Sequence, residues 1–144
     1  MKQRRYYSAF ALTLSLLLVG CTTLHSVPLE ERSRLINAPY DVTFQAAMEA
    51  LLEAGLGIAA MDKDTGLIVT EYQVTQSPYR TRSNIMLARE NEGQTRVTIR
   101  FDYNYLTVEG QVVEGLMRPE TARRLYKQGL DSIESRALIH AENQ

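Results

Sequence analysis

The segment from Thr95 to Tyr103 alternates between apolar and polar side chains, and this pattern constrains the fold more than any other feature of the chain. A period of two residues is that of a β-strand with one buried face and one wet face. A sheet built from such strands is typically antiparallel and needs a second layer over its apolar face. The residues predicted to face that layer are Val97, Ile99, Phe101 and Tyr103.

Two helical segments can supply the covering layer. From Asp41 to Ala54, apolar residues recur at three- and four-residue spacing, and Gly55 followed by Leu56 suits a Schellman-type helix end. Pro119 suits the first position of a second helix, in which the apolar spacing continues toward the end of the chain.

Strand signals complete the predicted topology. Besides Thr95 to Tyr103, the predicted strands are 33–37, 57–61, 67–74 and 79–89. The sequence therefore predicts an α+β two-layer sandwich of order βαββββα, with an antiparallel sheet of about four or five strands and two helices on one face.

The N-terminus carries a targeting signal. Basic residues within positions 1–5 precede an apolar run from Ala9 to Val19, which is too short for a spanning helix of about 20 residues. Leu18-Val19-Gly20-Cys21 ends this run with the only cysteine of the chain, and these four residues resemble a bacterial lipobox. The resemblance implies that Cys21 carries a diacylglyceryl group and that residues 1–20 are removed. Thr22, where an aspartate would signal retention at the inner membrane, implies the inner leaflet of the outer membrane in a two-membrane bacterium.

The chain divides into three predicted regions: a signal peptide over 1–20, a lipidated tether over 21–32 and a single α+β domain over 33–144. A lone cysteine permits no intramolecular disulfide, so the domain depends on an apolar core. Because Lys2, Arg4 and Arg5 are the only charged residues in 1–20, their removal would change the formal net charge from −1 to −4. Such a balance gives no electrostatic footprint for nucleic acid.

The sequence contains few residues in the spacing that a catalytic or metal-binding site requires. His25 and His140 have no other ligand at metal-binding spacing. Asp62, Asp64 and Gly66 imitate the start of a calcium loop, but the later glutamate of such a loop is missing, which favours a hairpin turn. We therefore expect no enzyme activity, no metal and no cofactor other than the lipid on Cys21.

Tyr79, Arg80, Arg82 and Arg100 are the candidate partner-binding residues. Tyrosine and arginine are frequent anchors of protein interfaces, and Pro78 is expected to expose its neighbours. A second interpretation remains open, in which the tyrosines cap the sheet and the arginines form a solvated face paired with Glu71, Glu90 and Asp102.

The domain also resembles a known family. Two segments resemble the compact domains of BamC-like outer-membrane lipoproteins: the run from Ile36 to Tyr72 and the terminal helical run from Leu125 to Leu138. The first of them contains a Gly-x-x-Ile step and an Asp-x-x-x-Gly-x-Ile turn. The resemblance covers roughly residues 33–138 and rests on structural positions, so it implies a fold.

Two function classes follow from the sequence. The first is a non-enzymatic, lipid-anchored envelope protein that faces the periplasm, acts as an accessory or interaction module and binds an envelope protein. The second is a small-ligand carrier or sensor that binds between the helices and the sheet. An apolar cavity in that position would favour the carrier, and an exposed apolar or tyrosine-rich patch would favour the interaction module.

Overall fold

The computed structural model describes residues 27–143, so Cys21, the predicted signal peptide and His25 lie outside the described residues. A short 3₁₀ turn (Leu29–Glu31) precedes seven strands and two helices. In chain order these are β1 (Ser33–Ile36), α1 (Tyr40–Glu53), β2 (Ile58–Asp62), β3 (Leu67–Thr70), β4 (Gln73–Gln76), β5 (Tyr79–Asn91), β6 (Gln94–Leu106), β7 (Val112–Glu114) and α2 (Pro119–Glu142).

All strands belong to one antiparallel sheet of order β1-β6-β5-β3-β2. β4 also pairs with β5, and β7 also pairs with β6, so each shares a flank of a long central strand with another short strand. The predicted α+β class with an antiparallel sheet and two helices is confirmed.

The predicted count of four or five strands is too low, because the sheet has seven. The segment predicted as one strand over 67–74 is interrupted between β3 and β4, which pair with β5 in registers that differ by one residue: Val69 lies opposite Asn84, and Gln73 lies opposite Thr81. The stretch from Asn104 to Arg118, which has no clear period, contains the end of β6 and the short strand β7.

The core lies between the sheet and the two helices. The strict alternation of β6 is confirmed at Val97 and Ile99, which are buried, whereas Phe101 and Tyr103 are half-buried near the end of the strand. Among the largest fully buried aliphatic side chains are Ile36, Ile68, Ile85, Leu130 and Ile133. The core is therefore built from alternate strand positions and from one stripe of each helix.

Helix α1 ends as its sequence predicts. Gly55 adopts a positive φ of 74°, its N–H donates to the Leu52 carbonyl, and the Leu56 N–H donates to the Leu51 carbonyl. This is the double hydrogen bond of a Schellman motif. Leu51 is 7% exposed but Leu52 is 57% exposed, so the predicted apolar stripe is narrower than the sequence suggests.

The turn between β2 and β3 requires its glycine. Gly66 has a φ of 75°, and a Cβ atom there would lie 2.0 Å from the Leu87 carbonyl oxygen. The Asp62 carboxylate accepts hydrogen bonds from the N–H groups of Asp64 and Thr65, which lowers the pKa of Asp62. Oδ1 of Asp62, which accepts both hydrogen bonds, therefore stabilises the hairpin turn that the sequence favours over a calcium loop.

Val27 shows how the chain enters the domain. It is 4% exposed and belongs to the hydrophobic core, so the region predicted as a tether contributes to the packed structure from Val27 onward. Just before β1, the Arg32 carbonyl accepts a hydrogen bond from the Ile99 N–H at 2.9 Å.

Candidate functional site

The sheet has an open face, opposite the helices, and this face carries most of the predicted binding residues. Period-two alternation in β5 places Arg80 and Arg82 on the face opposite to Ile85. Their cross-strand partners on β6 are Asn104 and Asp102, and Arg100 follows along the same strand. Three of the four predicted binding residues therefore share the open face.

Tyr72, which lies between β3 and β4, contacts two of these arginines. The guanidinium carbon of Arg80 lies 4.3 Å from the centroid of the Tyr72 ring, and that of Arg82 lies 4.7 Å from it. Two cations on one aromatic ring are attracted by its electron-rich face. We call Tyr72, Arg80, Arg82, Asp102 and Asn104 the arginine–tyrosine cluster.

Asn104 connects the cluster through hydrogen bonds. Its side-chain nitrogen donates to the Tyr72 hydroxyl at 3.1 Å, and its oxygen accepts from Nε of Arg80 at 2.6 Å. The Asn104 side chain is buried, although it lies on the face opposite the helices. The cluster is therefore a fixed arrangement and not a set of independently solvated side chains.

Asp102 supplies the negative charge of the cluster. Its Oδ2 accepts two hydrogen bonds from Arg82, at 3.1 and 2.7 Å, and one from Asn84 at 2.9 Å. Nε of Arg100 lies 3.5 Å from Oδ1. Burial opposes ionisation of Asp102, but these donors and the nearby positive charges outweigh it and hold the pKa of the carboxyl below its ordinary value. The hydrogen bond to Asp102 also raises the pKa of Arg82.

Arg80 differs from Arg82 in its charge balance. Among residues 27–143, no carboxylate lies within ion-pair distance of Arg80, whereas Arg82 pairs with Asp102. Arginine presents several N–H donors in one plane, so a guanidinium that stacks on a ring still offers its edge to a carboxylate or phosphate. The cluster thus presents the Arg80 guanidinium, which Tyr72 and Asn104 hold in place, next to an aromatic ring.

Tyr79 does not join the arginines. Its register position opposite Tyr105 places it on the helix-side face, beyond the region that the helices cover. The Tyr79 ring stacks on Tyr103 at a centroid distance of 5.4 Å and contacts Tyr105 edge-on at 5.6 Å. The four predicted residues are therefore divided between two surfaces.

The interpretation as a paired, solvated face is partly correct. Arg82 pairs with Asp102, and Arg96 pairs with Glu90 at 2.6 Å. Tyr72 and Asn104 complete the cluster but were not in the predicted set. The signal for Asn104 was present, because it continues the alternation of Arg100 and Asp102 by one more step.

A second feature lies on the helix side of the sheet. A pocket of about 230 Å³ opens between α1, α2 and the central strands. Its walls are mostly apolar and include Leu51, Leu56, Ile99 and Phe101, with Ser83 and Ser132 as polar groups. A small-ligand carrier, the second function class predicted from the sequence, would bind its ligand in this position.

Outside the cluster, the described ionisable groups form single ion pairs and one network, in which Arg34 contacts Asp131 and Glu134 and Asp131 also contacts Lys127. His140 Nε2 lies 2.6 Å from Oε2 of Glu49, between the two helices. Within residues 27–143, no three histidine, cysteine, aspartate or glutamate side chains are grouped so as to hold a metal ion. Neither α1 nor α2 has the length and apolar character that a helix needs to cross a membrane.

Comparison with models of known protein families finds none that matches the chain. A comparison with curated protein sequences likewise finds no match.

Proposed function

We propose that the chain is a non-enzymatic, lipid-anchored protein of the bacterial cell envelope. Cleavage before Cys21 and acylation of its sulfur would hold the domain at the periplasmic side of the outer membrane. The lipobox-like order Leu18-Val19-Gly20-Cys21 behind a basic and apolar leader supports this anchor. Two or three acyl chains bind a bilayer far more firmly than one.

In this proposal the domain binds an envelope protein through the open face of its sheet. The observation that carries the proposal is the arginine–tyrosine cluster, which is held in place by Asn104 and Asp102 on a face that the helices leave uncovered. Preorganised side chains lose less conformational entropy on binding than free ones. The anchor would add to binding by confining the domain to the surface on which its partner lies.

A photo-crosslinking experiment in intact cells tests this interaction. A photoreactive amino acid at Arg100, whose side chain is 65% exposed, would report which protein lies over the open face. Arg80→Glu should reduce the amount of crosslinked product. The substitution reverses the charge at a position where no carboxylate of residues 27–143 forms an ion pair with the arginine, whereas Arg82 pairs with Asp102. Arg82→Glu is less informative, because a glutamate facing Asp102 would also lower stability.

Arg124→Glu provides the matched control. Arg124 is exposed on α2, in the helix layer, so reversing its charge leaves the open face intact. We expect Arg124→Glu to keep the crosslink and Arg80→Glu to lose it, with both variants folded by circular dichroism. Equal crosslinking in Arg80→Glu, Arg124→Glu and the parent protein would reject the cluster as the binding site.

The pocket beneath α1 favours a second candidate function, a carrier or sensor of small apolar ligands. Its volume of about 230 Å³ exceeds that of apolar cavities known to bind benzene, about 150 Å³. Native mass spectrometry of protein purified from envelopes would detect a bound molecule. Ser132→Leu should fill the pocket and displace it, whereas Ser135→Leu, at an exposed position of the same helix, should not. A parent protein without bound mass would argue against the carrier.

A further inference from the structure

Exposed aliphatic side chains occur at several places on the domain, such as Leu52 and Ile139 on the helices, but four of them lie together at one end. They lie in and after the hairpin that joins β6 to β7, and we call them the hairpin patch: Leu106, Val108, Val112 and Leu116. Val108 has no protection from solvent, with an exposed fraction of 103%, and Leu116 is 74% exposed. Single exposed aliphatic residues are ordinary, but four within one short segment indicate a contact surface.

The chain enters the domain at the same end. β1 runs antiparallel to β6, with Ser33 opposite Thr98, so residues before β1 lie along the later part of β6. Val27 accordingly lines a pocket of about 190 Å³ together with Phe101, Tyr103 and Leu116.

The distance from the anchor to this end is short. Only six residue steps separate Cys21 from Val27, and six residues span at most about 21 Å when fully extended. Because Val27 is packed in the core, this length limits how far the domain can stand from the bilayer. The end that carries the hairpin patch is therefore the end held next to the membrane.

The other side chains at this end suit a membrane interface. Tyr79 and Tyr105 lie opposite each other on the last pair of β5 and β6, beside the hairpin. Tyrosine is enriched at the headgroup level of membranes, since its ring is apolar and its hydroxyl is polar. Glu109 occupies the hairpin tip and opposes attraction of the hairpin to anionic lipid, so the contact proposed for the hairpin itself is apolar.

We propose that the hairpin patch is a second membrane contact, seated at the boundary between headgroups and acyl chains of the bilayer that holds the lipid anchor. The inference rests on the proposed lipid at Cys21. Two contacts fix an orientation that one flexible anchor does not. The long strands then rise from the membrane, and the turn that joins β5 to β6, at Glu92, points away from it.

Fluorescence labelling of the full, lipidated protein tests this contact. Because the lipid occupies the Cys21 sulfur, Val108→Cys introduces one free thiol, which can carry an environment-sensitive dye. The protein is reconstituted into vesicles of phosphatidylethanolamine and phosphatidylglycerol, with or without lipids that carry a nitroxide quencher. Glu92→Cys is the matched control, since Glu92 is exposed in the turn at the opposite end.

We expect dye emission at position 108 to rise by about twofold or more on reconstitution and to be quenched by the nitroxide lipid, because an inserted hairpin enters the apolar boundary. Dye at position 92 should show neither effect. Replacing phosphatidylglycerol with phosphatidylcholine should leave the signal at position 108 unchanged, and its loss would contradict an apolar contact.

The failures of the two proposals are distinguishable. Vesicle flotation reports the anchor, and the dye reports the hairpin. Protein that floats with the vesicles while positions 108 and 92 behave alike would overturn the second contact and leave the anchor intact. Protein that does not float lacks the anchor, which would overturn the proposed function and this inference together.

Discussion

Leu51 and Leu52 are adjacent leucines on α1 with opposite environments, and replacing each with alanine tests the core directly. Leu51 lies on the side of the helix that faces the sheet and is 7% exposed, whereas Leu52 is 57% exposed. Leucine to alanine removes three carbon atoms, and each buried methylene contributes about 0.8 kcal/mol, or roughly 2.4 kcal/mol for a buried leucine. The cavity left behind adds to this loss, so we expect Leu51→Ala to cost about 2–5 kcal/mol.

Leu52→Ala is the control, because the chemical change and the helix are the same. Less than half of the Leu52 side chain is removed from solvent, so its loss should cost below about 1 kcal/mol. Urea unfolding of a Cys21→Ser protein, followed by circular dichroism, gives both free energies of unfolding. Equal losses, or a loss below about 0.5 kcal/mol for Leu51→Ala, would refute the assigned core.

Three further predictions concern a turn, the arginine–tyrosine cluster and the core. Gly66→Ala should lower the free energy of unfolding by about 2 kcal/mol or more, because its Cβ would meet the Leu87 carbonyl, whereas Gly110→Ala, with a similar φ of 81° and open space, should cost about 1 kcal/mol. Equal losses in urea unfolding would discount the clash. The pKa of Asp102 is depressed on folding, so its contribution is present above its unfolded value near 3.8 and is lost as pH falls through the lower folded value. The difference in unfolding free energy between the parent and Asp102→Asn should therefore shrink below about pH 4, and a constant difference would contradict this assignment. Phe101→Ala, at a half-buried core position, should also cost about 2–5 kcal/mol in the same assay.

The sequence predicts correctly those parts of the fold that depend on residues close together in the chain. The alternation of β6, the Schellman end of α1 and the Gly66 turn follow from side chains within a few residues of one another. The split between β3 and β4 does not, because it reflects a one-residue change of register against β5, between the pair Val69–Asn84 and the pair Gln73–Thr81. The register of pairing with another strand leaves no period in the sequence.

The candidate site was predicted in part for a related reason. Arg80, Arg82 and Arg100 follow the strand alternation and share one face, as expected. Tyr79 was grouped with them by its position after Pro78, but a shift of one residue along a strand moves a side chain to the other face. Alternation within the strand therefore separates Tyr79 from Arg80 and Arg82, and the structure adds the pairing with Tyr105 and the stacking on Tyr103, which depend on the folded sheet.

The lipid on Cys21 is the central claim of this account, and mass spectrometry of protein taken from its native membrane tests it most directly. We predict an N-terminal peptide that begins at Cys21 and carries the mass of a diacylglyceryl group, with residues 1–20 absent. Cys21→Ser should release or mislocalise the domain while its circular dichroism spectrum is unchanged, since the described core begins at Val27. An N-terminus at any other residue, or an unmodified Cys21, would contradict the account.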